Sequence, residues 1–156
     1  MQDLITNYYL ISAMAAWLLA QFLKVFTGFF KEQKFSLKAL FFGTGGMPSS
    51  HTATVAALCT SCGLGEGFKS APFAISVVLA IIVMIDATGV RRETGKQSRA
   101  LNLIVEEFFK SSDTDFDIHF KELIGHTPLQ VVCGFITGMT AAIALSFIPV
   151  FEIWPL

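Results

Sequence analysis

Three short strings of this chain gather histidines, arginines, hydroxyls and glycines in patterns suited to holding an anion. In "FGTGGMPSSHTA" the glycines Gly43, Gly45 and Gly46 permit backbone conformations closed to other residues. Pro48 suits the first turn of a helix, where its missing N–H costs nothing. Ser49 and Ser50 then offer hydroxyls beside the unpaired N–H groups of a helix start, and His51 adds a titratable ring in the same turn. In isolation the string reads equally well as a glycine-rich turn with serine caps.

The second string, "MIDATGVRRETGKQ", runs from Met84 to Gln97 and places Asp86 at the end of an apolar segment. Ionisable groups there are expensive and are usually functional or paired. Arg91 and Arg92 follow within two helical turns, Lys96 lies a turn further on, and guanidinium forks match phosphate oxygens. Arginines after a membrane segment also satisfy the positive-inside rule without any chemistry, but that rule does not explain Asp86. Asp86 and Glu93, seven residues apart, leave room for a divalent ion, although no cysteine–histidine or multi-carboxylate set demands a metal and no cofactor is expected. In the third string, "KELIGHTPLQVV", His126 precedes Thr127-Pro128 at the opening of the last apolar run, with Glu122 four residues earlier as a candidate hydrogen-bond partner. Alone, such a histidine reads as a cap or a structural group.

These residues need a scaffold, and composition says which kind. Of 156 residues, 53% are hydrophobic and 15% charged, against roughly a quarter charged in a soluble domain. Mean hydropathy is +0.62, so an integral membrane protein is expected. A net charge of -1 gives no basic excess for nucleic acid. Charge-free runs cover Leu4 to Leu23 (20 residues), Thr52 to Gly65 (14), Ser70 to Ile85 (16) and Thr127 to Phe151 (25). A bilayer core takes about 20 apolar residues. The first and last runs meet that outright, the third does so if extended to Val90, and the second is short enough to be re-entrant or shielded by protein. The first run has no basic flank or clear cleavage site and reads as retained rather than as a signal peptide.

Basic residues then orient the chain. Lys24, Lys31, Lys34 and Lys38 follow the first run, and Arg91, Arg92, Lys96, Arg99, Lys110 and Lys121 separate the third from the fourth, leaving only Lys69 elsewhere among the 11. With four spans both groups share the cytoplasmic face and both termini lie outside. The expected fold is therefore an all-α polytopic membrane helix bundle, one domain over 1–156, with segments near 4–23, 52–65, 70–90 and 127–151 in the plasma (inner) membrane. Loops 24–51 and 91–126 are cytoplasmic, and "ALNLIVEEFFK", residues 100–110, has the apolar spacing of an amphipathic helix lying on the membrane or on the bundle. "SSDTDFD" after it reads as a turn that caps a short helix toward Leu123. Gly134 and Gly138 form a G-x-x-x-G pattern that points to close helix packing and a homo-oligomer. Cys59, Cys62 and Cys133 lie in apolar runs and read as packing residues. In this topology two helix starts, two histidines and two arginines meet at one cytoplasmic patch, a plausible phosphate site.

"GGMPSSHTA", "DATGVRRETGKQ" and "ELIGHTPLQV", in that order, resemble over nearly the whole chain the divergent branch of the type 2 phosphatidic acid phosphatase family, related to acid phosphatases and vanadium haloperoxidases. The resemblance implies metal-independent hydrolysis, in which one histidine attacks phosphorus, a second protonates the leaving alcohol, and lysine and arginine hold the oxygens. Pro48-Ser49-Ser50-His51 matches the family's P-S-G-H with Ser50 in place of glycine, so His51 inherits the general-acid role and Ser49 a phosphate contact. The family's first motif has no counterpart beyond Lys24 as the nearest basic residue, and no serine precedes Arg91 or Arg92. His126 is nominated as nucleophile over His119, which falls in the polar loop. Six spans are usual in that family, and this chain has room for four. The implied activity is hydrolysis of a lipid or polyprenyl phosphate; a non-catalytic binder of anionic headgroups or of a partner, and a small oligomeric transporter, remain alternatives.

Overall fold

A computed structural model of the chain describes residues 2–27, 46–109, 120 and 125–151, and among them every regular element is helical. The helices are α1 (Gln2–Ile5), α2 (Tyr8–Phe26), α3 (Ser50–Gly65), α4 (Ala71–Thr88), α5 (Val90–Phe109) and α6 (Pro128–Ser146), followed by a 3-10 turn at Pro149–Phe151. Four of them start on a polar cap whose side chain accepts a backbone N–H: Asn7 for α2, Ser49 for α3, Ser70 for α4 and Thr127 for α6. Pro128 sits in the first turn of α6, as expected. Pro48 does not sit in the first turn of α3, because Ser49 takes the cap and leaves the proline one residue outside.

The short helix α3 lies at the centre and packs against α2, α4 and α6. Polar contacts fix the directions of the helices. At one end the Lys24 Nζ donates to Ser50 Oγ (3.2 Å), the Ser49 N–H donates to the Gln130 carbonyl (3.0 Å) and the His126 N–H donates to the Ala87 carbonyl (3.0 Å). The C-termini of α2 and α4 therefore meet the N-termini of α3 and α6 at that end. At the other end the Tyr9 hydroxyl donates to Glu66 Oε1 and the Tyr8 hydroxyl to the Ala142 carbonyl, both at 2.7 Å. Among the described residues Lys24, Arg91, Arg92, Lys96 and Arg99 lie on or beyond the first end, and Lys69 lies at the other, in the turn between α3 and α4.

The core is made of small residues. Ala16 and Ala20 of α2, Ala53 and Ala57 of α3 and Ala142 of α6 are all fully buried together. The large apolar side chains, such as Leu18, Phe22, Ile75, Ile82, Ile85 and Ile136, are instead exposed. That distribution suits a lipid solvent, which is as apolar as leucine and rewards close backbone approach instead of burial of large side chains. By length and composition three helices can cross a membrane, namely α2, the long bent α4–α5 unit and α6. The fourth, α3, has 16 residues, about 24 Å at 1.5 Å per residue. It runs beside α2 from Lys24 to Tyr9 and is buried along its length by Thr52, Ala53, Val55, Ala56, Ala57, Ser61, Cys62 and Gly63.

Two features differ from the pattern expected of the sequence. Gly134 and Gly138 face α3: a Cβ on Gly134 would meet the Ser49 carbonyl oxygen, and one on Gly138 the Ala53 carbonyl oxygen, both closer than 3.0 Å. The glycine stripe is used inside the chain, so it does not speak for a homo-oligomer. In addition, residues 90–99, expected as loop, form the first half of α5, which begins just past Gly89 and includes the whole of 100–109. Among the described residues its apolar face does not rest on the bundle: Val90, Leu101, Ile104 and Phe108 are exposed. Asn102 is buried and holds the chain at Phe120 by both backbone groups, accepting its N–H at 2.8 Å and donating to its carbonyl at 2.9 Å. The turn expected at "SSDTDFD" lies outside the described residues.

Candidate anion site at the basic end of the bundle

Because α3 and α6 start where α2 and α4 end, four separated stretches of sequence meet in one place. His51 stands in the first turn of α3 with its side chain exposed at the mouth. Lys24, Arg91 and Asp86 all lie close enough to act on its charge, and His51 in turn acts on that of His126. Two positive helix ends point into the same region.

Lys24 is the largest departure from the sequence reading. Its position after the first apolar run suggests an ordinary basic flank, yet it is 3% exposed, and its ammonium donates to Ser50 Oγ. A buried cation is costly unless hydrogen bonds and polar neighbours compensate it, and Ser50 supplies one such contact. Only the packing of α2 against α3 brings together residues 26 apart in sequence. The same junction carries a hydrogen bond from the Thr27 hydroxyl to the Met47 carbonyl.

His126 is 5% exposed and pinned from two sides. Its backbone N–H bonds the Ala87 carbonyl, and its ring Nδ1 lies 3.1 Å from Gln130 Oε1. That amide orientation is not arbitrary, since the Thr127 backbone N–H donates to the same Gln130 atom at 2.9 Å and identifies it as the oxygen. An amide oxygen only accepts, so Nδ1 must carry the proton, and in the neutral ring the lone pair is left on Nε2. Burial, followed by the charges of Lys24, His51 and Arg91, lowers the His126 pKa below the ordinary 6.5, with the Gln130 hydrogen bond opposing. The ring is therefore neutral near pH 7. Gln130 was not among the expected site residues, although Thr127-x-x-Gln130 has the capping-box spacing, and that box is formed.

Asp86, in the last turn of α4, accepts a hydrogen bond from Arg91 Nε at 2.6 Å across the break at Gly89. Lys96 pairs with Glu93 at 2.7 Å on an exposed face, while Asp86 pairs with Arg91. Among the described residues no group of three or more metal-type ligands occurs. Arg92 is exposed, and its backbone packs against Gly125, where a Cβ would overlap it, so the start of α5 is held next to His126. Ser49 is fully buried, and its hydroxyl accepts from the Thr52 N–H and hydroxyl, so it acts first as the cap of α3. Ser50 is the hydroxyl that meets the Lys24 ammonium, and Gly46, with φ +79°, turns the chain into this corner. Gly45, Glu122 and His119 lie outside the described residues.

Fold and site together define a small helical membrane protein with a cationic, histidine-bearing cluster at one end of its bundle. The chain belongs to the Divergent PAP2 family, whose model matches residues 5–141. It is also 39% identical over 155 residues, covering 93% of this chain and 98% of the relative, to the uncharacterized membrane protein YuiD of Bacillus subtilis (strain 168). No solved structure matches it.

Proposed function

We propose that the basic end of the bundle is a phosphatase site acting on a lipid or polyprenyl phosphate from the cytoplasmic face. The observation that carries this reading is the His126–Gln130 hydrogen bond, which leaves the lone pair on Nε2 in a neutral imidazole close enough to Lys24, His51 and Arg91 to feel their charge. Nε2 attacks phosphorus, an N–P bond forms as the P–O ester bond breaks, and His51 gives its proton to the departing alcohol. Water then attacks the phosphohistidine, His51 takes the water's proton, and orthophosphate leaves. Dividing hydrolysis in this way replaces one difficult displacement by two easier ones. Lys24 and Arg91, with Arg92 at the rim, neutralise charge on the transferring oxygens, and Ser50 offers a hydroxyl among them. Ser49 and Gly46 shape the corner. The exposed apolar helix faces support a substrate whose acyl or prenyl chain stays in the bilayer while its headgroup enters the site.

The test is phosphate release by the purified protein in lipid nanodiscs, from phosphatidate, phosphatidylglycerophosphate and prenyl mono- and diphosphates, with EDTA present. Release that survives EDTA and is lost in His51→Ala is the expected result. Folded protein that releases nothing from any of them, yet binds anionic lipid, would replace the enzyme reading by a headgroup-binding one.

The pH profile follows from the neutral nucleophile. Activity should fall as the medium is acidified through the His126 pKa, so the midpoint of the acid limb lies below 6.5, and it should fall again on the alkaline side as His51, whose pKa burial and then Arg91 and Lys24 also lower against Asp86, loses the proton it must donate. Lys24→Met removes one of the charges that depress the His126 pKa, and should move that acid midpoint upward while raising KM about tenfold or more, in line with the loss of one charged contact. An acid limb that does not move in Lys24→Met would mean that Lys24 does not face His126.

A further inference from the structure

We infer that Asp86 is an internal substitute for the substrate's phosphoryl oxygens: its carboxylate holds Arg91 until a phosphate-type anion competes for the guanidinium, and then releases it. The inference rests on the anion-site reading above and assigns Asp86 a part in it that hydrolysis itself does not require.

The observation is the pair itself. Asp86 ends the apolar helix α4, Arg91 opens α5, and Oδ2 and Nε meet at 2.6 Å across the discontinuity at Gly89. The positive-inside rule accounts for the arginine but not for an acid placed among cations that would serve an anion better without it. A carboxylate beside His51, Arg91 and Lys24 repels an arriving phosphate and lowers its affinity, so its presence needs a reason. The geometry supplies one. Both side chains are more than a third exposed, 38% for Asp86 and 46% for Arg91, so the pair is open to ligand and weakly held. The bond engages Nε, so the terminal N–H groups of the same guanidinium remain to meet an oxygen anion while Asp86 still orients it. A phosphate dianion brings more charge and more acceptor oxygens than one carboxylate, and it also meets Lys24 and the starts of α3 and α6, which Asp86 does not replace. The exchange keeps Arg91 aimed at the site and weakens retention of the product, orthophosphate, because Asp86 competes for the guanidinium again as it leaves.

The experiment is equilibrium binding of orthophosphate to the full chain in neutral-lipid nanodiscs, for wild type, Asp86→Asn, Arg91→Gln and the double variant, with Asp86→Ser as a second neutral replacement. Both side chains are exposed, and monodispersity on gel filtration checks that each variant is folded. Asp86→Asn and Asp86→Ser are expected to tighten binding about five- to tenfold and Arg91→Gln to weaken it. In the Arg91→Gln background the change at position 86 should have less than a twofold effect, because the carboxylate acts through that arginine. Unchanged or weaker binding in Asp86→Asn overturns the inference, as does an equal gain with and without Arg91, which would make Asp86 a general repulsive charge. Binding to none of the proteins removes the anion site and this inference with it. The expected pattern in a protein that hydrolyses nothing in the lipid-phosphate panel would sustain the exchange and dismiss the phosphatase reading.

Discussion

His126→Ala is expected to lower phosphate release at least about 10⁴-fold, because loss of a covalent nucleophile removes the reaction path and leaves only binding and charge stabilisation. The argument rests on which nitrogen is available. Gln130 Oε1 takes the proton of Nδ1 and is itself held by the Thr127 N–H, so the ring can present only Nε2 as a base or nucleophile. Gln130→Leu should therefore cost about 10²- to 10⁴-fold in kcat with a smaller change in KM, since a histidine in the wrong tautomer is present but misdirected. It also removes half of a capping box, worth on the order of 1 kcal/mol, so thermal stability should be measured alongside. Gln130→Glu keeps an acceptor opposite Nδ1 and should restore most of the rate. The decisive comparison is single-turnover phosphate release, with acid-labile phosphohistidine trapped at short times. Wild-type rates in His126→Ala would remove this histidine from the chemistry and return attention to His119.

Gly138→Leu is expected to prevent assembly of the bundle. A Cβ at this position overlaps the Ala53 carbonyl oxygen, which is backbone and cannot turn aside, and also approaches Ala56. Overpacking a well-packed interior costs roughly 1–3 kcal/mol when side chains can adjust, and backbone against backbone leaves α6 no adjustment except to move away from α3. That movement would also break the Ser49–Gln130 backbone hydrogen bond, which sets the depth of α6 against α3. Gly138→Ala should be milder but still destabilising, and Ile136→Leu, on the exposed face of the same helix, should be neutral. The measurement is the yield of monodisperse protein in detergent together with its thermal unfolding midpoint. A Gly138→Leu protein as stable as wild type would show that α6 does not lie on α3 in this register.

Much of the architecture follows from local properties of the chain. Hydrophobic runs and breakers act within a few residues, so α4 and α6, which begin one residue into the third and fourth charge-free runs, could be anticipated along with the helical class of the fold. The three strings that carry the family resemblance are likewise contiguous, and the family model spans them. The grouping of basic residues around α5 and after α2 was also visible, because it is a matter of order along the chain.

What could not be read that way depends on which surfaces meet. Lys24 looks like a flanking charge until α2 lies antiparallel to α3 and buries it beside Ser50. The G-x-x-x-G stripe announces a close helix contact but carries no label for its partner, and it was the alanines and the Ser49 corner of α3, not a second chain, that filled it. Gln130 and its contact with the His126 ring four residues away are local, but the hydrogen bond from the His126 N–H to the Ala87 carbonyl, which joins that ring to the end of α4, links residues far apart in the chain. Local sequence sets hydrogen bonds and burial within one helix, where partners lie three or four residues apart. A site assembled from four helix ends depends on their relative direction and depth, and in a lipid solvent those are set by shape-matched contacts between small residues far apart in the chain.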